Sequence, residues 1–410
     1  MEYEVSVQIA GEDVHAGTLF VHVRRGVESA SFKYGSDYLA DARAFPLAPD
    51  LPLVEGAVHS QGEPMFRAFG DCMPDRWGRN LMLRAERKRA REENRAARTL
   101  FEHDYLAGVN DESRQGAIRI WDGDKPVAGV ADGVPREVRI PDLLAAADKA
   151  ATDLDADVAD LVAAGSSLGG ARPKASVVDE RGCLCIAKFP KADEGALEDV
   201  CAWEKTALDL ASGAGIRVPR MRLMRVAGRS VLLLERFDRA DGCRIPYISG
   251  ITAIQGNDGG RYSYLELVSF LEEEGSAPDA DIRELWRRVL FSCAIGNTDD
   301  HMRNHGFLRD ADGWRLSPAF DVNPTPGDNN KYLRSALDFD TDEANPQAAV
   351  DVCEWYRLKP SQAVEECRRM AGVLKRWHKM AASNGISKES MGYMASCFDA
   401  GIERLERAHA

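Results

Sequence analysis

The sequence predicts an α+β chain on a two-lobed plan, and three observations carry that prediction. The first part of the chain is rich in alternating apolar and polar residues, the patterning of half-buried strands. From Tyr264 onward the apolar periodicity becomes helical and stays so to the C-terminus, which predicts an all-helical second lobe. Between them stands LLLERFDR (232–239), a buried-strand pattern that stops abruptly in charge, as a strand joining a β-rich lobe to a helical one would.

Taken in order, residues 3–9 and 14–23 alternate around Gly11, Glu12 and Asp13 and predict a hairpin. The prolines of LAPDLPL (47–53) exclude a regular element. From Arg76 to Glu102 the pattern is helical, and a turn-rich stretch over 121–142 marks a boundary. A helix over 141–150 follows, then a Gly/Ser loop at 165–170. Strands over 174–179 and 183–189 flank the turn Asp179-Glu180-Arg181-Gly182. A helix over 196–212 and strands over 220–226 and 230–235 complete the mixed β/α part. The expected division is therefore 1–120, 143–237 and 238–410.

Composition excludes several classes. With 44% hydrophobic and 29% charged residues over 410 positions, the chain has the balance of a globular protein with a sizeable core. It holds no apolar run of membrane-spanning length, and its N-terminus lacks a basic stretch followed by an apolar block, so a cytoplasmic protein is expected. Nine scattered cysteines form no Cys-x-x-Cys pair and read as small buried hydrophobes in a reducing compartment. A net charge of -13 argues against a broad nucleic-acid-binding face. The arginine-dense stretch RAERKRAREENRAAR (84–98) is an exception, and a solvated helix face accounts for it better than a contact surface.

The densest chemistry lies in IGNTDDHMRNHGF (295–307), directly after an apolar helical run. Such a polar cluster is costly to bury unless it serves a ligand or a metal. Asp299 and Asn304 stand at the Asp-x-x-x-x-Asn spacing of a kinase catalytic loop, where the Asp takes the proton of an attacking hydroxyl and the Asn oxygen holds Mg²⁺. Downstream, WRLSPAFDVNP (314–324) reads as a strand ending in Asp321, a second hard oxygen donor or, more plainly, a turn-capping Asp.

Upstream, Lys188 interrupts an apolar strand and requires an anionic partner or an exit to water. Nucleotide phosphates would serve, with Glu204 of the following helix to position it. In GSSLGGARPKA (165–175) the glycines permit close backbone approach to phosphate, but Ala171 stands where a Walker lysine is required, which disfavours a P-loop NTPase. Glu235, Arg236 and Phe237 sit where hinge amides could meet an adenine edge. A competing reading places His301 and His305, four apart, on one helix face as ligands of a metal hydrolase completed by Asp299 or Asp300. That reading leaves Lys188, Asp321 and the glycine loop without a role.

These pieces, in this order, resemble the HipA family of toxin kinases over nearly the whole chain. SFKYGSDYLADARAFPLAPDLPL, FGDCMPDRWGRNLM and QGAIRI are similar to its N-terminal subdomain, SSLGGARPKA to its glycine-containing loop and IAKFP to its lysine strand. LLLERFDR is similar to its hinge, IGNTDDHMRNHGF to its catalytic loop and LSPAFDVNP to its metal-binding segment. The resemblance implies a two-lobed, protein-kinase-like fold using ATP and Mg²⁺. It implies that Asp299 is the base, that Asn304 and Asp321 hold magnesium and that Lys188 binds phosphates. Glu235, Arg236 and Phe237 would line the adenine site, and Gly169, Gly170, Ala171, Arg172, Pro173 and Lys174 would cover the phosphates. His301, Met302, Arg303 and Phe320 would lie near the nucleotide, and Ser167, with Ser166 beside it, would be the autophosphorylated serine. Asp300 stands where the family often has glycine, and Arg172-Pro173 where a Gln-Glu pair is common.

The resemblance further implies a serine/threonine kinase acting on cytosolic proteins, aminoacyl-tRNA synthetases among them, and no membrane. It implies a HipB-like DNA-binding antitoxin that brings the chain to operator DNA indirectly. The alternative from another class is a catalytically idle kinase fold that docks a DNA-binding repressor.

Overall fold

The computed structural model describes residues 1–127, 133–153, 156–165, 172–195, 197–327 and 331–409. The chain forms two compact units, Met1–Ala192 with Leu233–Ile248, and Asp193–Leu232 with Ser249–Ala410.

In the first unit a six-stranded antiparallel sheet runs in the order Ala57–His59, Val27–Tyr34, Glu12–Arg24, Glu2–Ile9, Ile118–Asp122, Lys125–Pro126. The expected N-terminal hairpin forms, and Ala10 and Gly11 at its turn both take positive φ (50° and 86°), the sense that matches the strands' twist. The sheet buries Val5, Val7, Leu19, Val21, Phe32 and Tyr34. Helix Arg76–Glu92 is capped by Asp75, whose side chain accepts from the Gly78 N–H at 2.8 Å.

That helix ends at Glu92 instead of continuing to Glu102. Asn94 enters the left-handed region (φ 51°), and Arg95 turns back to meet the buried Glu86 at 2.6 Å. A separate short helix, Glu102–Ala107, follows. Lys88 pairs with Asp157 and Arg98 with Asp104, both at 2.8 Å, so the chain itself meets much of the charge of the arginine-dense stretch.

Strands Lys174–Val178 and Leu184–Lys188 form the expected hairpin, and its register sets Lys174 opposite Lys188. Asp179 closes their turn by accepting from the backbone N–H groups of Arg181 (2.9 Å) and Cys183 (2.8 Å). Strand Arg229–Glu235 begins in the second unit and ends in the first, where the Arg236 N–H donates to the Leu184 carbonyl at 3.0 Å.

The second unit is built on helices Val200–Gly213, Tyr264–Glu274, Pro278–Ile295, Pro360–Leu374 and Lys388–Arg407. Trp203, Trp377 and Phe398 pack ring on ring in its core, and the Trp203 indole N–H donates to the Ser390 hydroxyl at 3.0 Å. Helix Pro278–Ile295 is buried along its last turns and stops at Gly296, which takes the left-handed conformation (φ 65°) typical of a helix C-terminus.

Residues 296–345 correct the expectation of an all-helical second lobe. They hold a strand pair, Gly306–Arg309 with Trp314–Leu316, and long irregular stretches before helix resumes at Pro346. The run 297–301 has no apolar repeat to bury, and Pro318, Pro324 and Pro326 lack the N–H that a helix or ladder needs. For the same reason the strand expected to reach Asp321 stops at Leu316.

All nine cysteines are free thiols, and all but Cys183 and Cys243 are buried. Burial pushes the thiols of Cys72, Cys185 and Cys367 up to about 12. Among the described residues no helix is long and apolar enough to cross a membrane.

Candidate active site

The loop after Gly296 sorts two adjacent carboxylates into opposite environments. The Asp299 side chain is exposed, whereas Asp300 is buried. Asp300 accepts from the Tyr264 hydroxyl at 2.7 Å and from the Ser292 hydroxyl at 3.0 Å, both through Oδ2. Its Oδ1 lies 3.0 Å from Nε2 of His305, within ion-pair range though off the line of a hydrogen bond. Burial alone would raise the Asp300 pKa, but the His305 imidazole and the two hydroxyl donors outweigh it and hold the carboxyl below its ordinary value.

A single 3-10 turn, Met302–Asn304, then folds the chain back. The His301 N–H donates to the Asp299 carbonyl at 2.9 Å, and the Asn304 side-chain N–H₂ donates to that same carbonyl at 2.9 Å. The Asn304 amide oxygen, an acceptor, thereby faces away from the Asp299 carbonyl. His301 and His305 do not share a helix face: the turn separates them, and His305 packs edge-on against Tyr264 with ring centroids 5.5 Å apart. Among the described residues no three His, Cys, Asp or Glu side chains gather as metal ligands. Arg303 is held by both oxygens of Asp258, at 2.6 and 3.0 Å, and Met302 is buried.

The segment leading to Asp321 is fixed by charge. Asp281, 1% exposed, accepts from Arg217 at 2.8 Å and from Arg315 at 2.8 and 3.2 Å, and also from the Leu316 N–H at 3.0 Å. Glu284 beside it takes Arg217 at 2.6 Å and Arg288 at 2.5 Å, and the Ala319 N–H donates to the Arg217 carbonyl at 2.8 Å. Asp321 itself takes φ 54°, a left-handed conformation that Asp adopts more readily than most residues. A small pocket beside the loop is lined by Asp300, Asn304, His305, Phe320 and Val322, so Asn304 and Phe320 come to one place.

Several buried polar atoms here, among them Nδ1 of His301, both ring nitrogens of His305 and Oδ1 of Asn323, make no hydrogen bond among the described residues. Orphans of this kind are uncommon in folded proteins. Asn304 and Asp321 carry oxygen donors of the hard type that a Mg²⁺ ion takes.

In the first unit Lys188 is buried on its strand. Lys174 is buried in an ion pair with Asp75 at 2.9 Å. Arg236, 3% exposed, pairs with Asp238 and donates to the carbonyls of Ser113 and Arg114, so its side chain is committed to the core of the unit. Glu235 pairs with Arg181, and Phe237 packs on Tyr247 with centroids 6.2 Å apart. Arg172 and Pro173 precede the lysine-bearing hairpin, and the Phe189 N–H donates to the Pro173 carbonyl at 2.9 Å. Glu204 is buried in the second unit next to Trp203. Ser166, Ser167, Gly169, Gly170 and Ala171 lie outside the described residues. Sequence reasoning assigned no anchoring partner to the 299–305 loop. Tyr264 and Ser335 lie some 35 residues from Asp300 in sequence and carry no local motif.

The HipA-like C-terminal domain family matches residues 166–383 and the HipA N-terminal domain family residues 7–100. A kinase-named protein of Sinorhizobium fredii is 27% identical over 149 residues, 33% of this chain and 33% of that protein. A kinase-named protein of Haemophilus influenzae is 25% identical over 198 residues, 41% of this chain and 56% of that one. These matches span a third and just over half of the two relatives. A chain of a Shewanella oneidensis toxin–antitoxin complex of HipA, HipB and operator DNA superposes with a TM-score of 0.71 at 17% identity, covering 99% of this chain and 97% of that one. At that identity the likeness is one of fold.

Proposed function

Because the chain belongs to the HipA family, we propose that it is an ATP- and Mg²⁺-dependent serine/threonine protein kinase, the toxin of a pair with a HipB-like antitoxin. The observation that supports this most is the split between exposed Asp299 and buried Asp300, with Asn304 tied to the Asp299 carbonyl. A general base must reach an incoming hydroxyl, and of the two neighbours only Asp299 presents its carboxylate to solvent.

In this reading Asp299 orients the attacking hydroxyl and takes its proton. Asn304 and Asp321 hold the magnesium, which when bound supplies neutralisation of phosphate charge. Lys188 binds the α- and β-phosphates and Glu204 positions it. The residues at 169–174 cover the phosphates, Glu235 and Phe237 flank the adenine, and Ser167 receives phosphate in autophosphorylation. In this reading the expected stretches 143–237 and 238–410 carry the chemistry, each drawing on both compact units. Its substrate is a cytosolic protein of the aminoacyl-tRNA synthetase kind, and DNA is reached through the antitoxin.

Incubation of the purified chain with γ-labelled ATP and Mg²⁺ tests the proposal. Label on the chain or on a lysate protein, abolished in Asp299→Asn, is expected. A wild-type chain that transfers no label yet still binds a HipB-like repressor would instead identify an idle docking protein.

A further inference from the structure

We infer that Asp300 is the positioning residue of the catalytic loop, a buried anchor whose attachment aims the neighbouring Asp299 outward; this rests on the kinase reading of Asp299. Asp300 is tethered at both its side chain and its main chain. Its carboxylate takes hydroxyls from two different helices, Tyr264 at the start of Tyr264–Glu274 and Ser292 near the end of Pro278–Ile295. Its carbonyl accepts from the Ser335 hydroxyl at 2.8 Å, beyond the Asp321 segment. His305, on the far side of the 3-10 turn, closes the loop onto the same carboxylate.

The consequence is geometric. Asp299 lies in a turn where the His301 N–H folds back onto its carbonyl, and with the Asp300 side chain drawn inward by Tyr264, Ser292 and His305 the Asp299 side chain is left on the exposed side. Asp299 itself is held through its carbonyl, by His301 and Asn304, and among the described residues no side chain fixes its carboxylate. The anchor therefore sets the aim of a group it does not touch. The tethers also span both helices that frame the loop, so the loop cannot shift without breaking a buried charged contact.

The test uses the full chain with three variants, Asp300→Ala, Asp300→Asn and Tyr264→Phe, and two readouts. Asp300→Ala should lower kcat by about 10²-fold with KM for ATP unchanged, the cost of misplacing a positioned group. Asp300→Asn, which still accepts from Tyr264, should recover part of that loss. Tyr264→Phe, which keeps the ring packing, should fall between wild type and Asp300→Ala. Independently of turnover, hydrogen exchange of the amides at 299–304 should accelerate in Asp300→Ala and Tyr264→Phe below their melting temperatures. Wild-type kcat in Asp300→Ala, or unchanged exchange in both variants, overturns the inference. If the wild type shows no Asp299-dependent transfer, the kinase reading fails, and exchange alone decides whether Asp300 anchors the loop.

Discussion

Gly401 lies so close to the carbonyl of Ala294 that a Cβ on it would collide with that oxygen. The contact joins the C-terminal helix to the helix that delivers the candidate catalytic loop, where side chains of any size would hold the two apart.

Gly401→Ala should therefore destabilise the second unit by about 2–3 kcal/mol through overpacking against backbone. Differential scanning calorimetry should show its melting temperature lowered by roughly 5–10 °C. Gly392 in the same helix has nothing within 4 Å of its Cβ position, so Gly392→Ala should raise stability by about 0.5–1 kcal/mol. Equal effects from the two substitutions would contradict the close packing.

Asp299→Asn and Asn304→Ala should each reduce autophosphorylation at least about 10²-fold while leaving the circular dichroism spectrum and melting temperature near wild type. Retained transfer in the Asp299 variant would rule that residue out as the base.

Asp281 should be far more sensitive structurally. Its carboxylate is buried against Arg217 and Arg315, and Asp281→Ala leaves both guanidinium groups without their shared anion. A loss of about 3–5 kcal/mol is expected in urea unfolding. An effect below about 1 kcal/mol would mean that the two arginines reach water without cost.

Asp238 makes stability depend on pH in a defined direction. Burial would raise its pKa, but Arg236 and Arg239 overcome that and hold it well below the usual carboxylate range. A depressed carboxyl contributes fully above its unfolded value, about 3.9, and that contribution fades only as pH falls through the lower folded value. Melting curves of wild type and Asp238→Asn should thus differ at neutral pH and still differ at pH 4, converging only in stronger acid. Convergence already at pH 5 would show that the pair is not holding the carboxylate.

Much of this architecture is legible in sequence where the signal is local. The hairpins at 2–24 and 174–188 follow from alternation plus turn residues, and both form. The helix at 278–295 follows from its apolar repeat. What failed was extrapolating a period: helical patterning on either side of 296–345 concealed an irregular stretch held by Ser335 and Asp281 across long separations. Asp299, Asn304 and Asp321 could be singled out because phosphoryl transfer dictates their type and spacing. The role of Asp300 could not, since a carboxylate's burial depends on hydroxyls that only the fold brings to it. Arg236 shows the same limit, as its place beside a hinge-like strand gave no hint that Asp238 and two carbonyls occupy its side chain.

The distribution of thiols gives the molecule a built-in chronometer. Cys201, Cys293, Cys353, Cys367 and Cys397 all lie buried in the second unit, while the half-buried Cys183 and Cys243 belong to the first. A thiol that is both inaccessible and reluctant to ionise does not react with a maleimide until its surroundings open. Alkylation followed by mass spectrometry would then time-stamp the opening of each unit separately, cysteine by cysteine, in a single unlabelled wild-type sample.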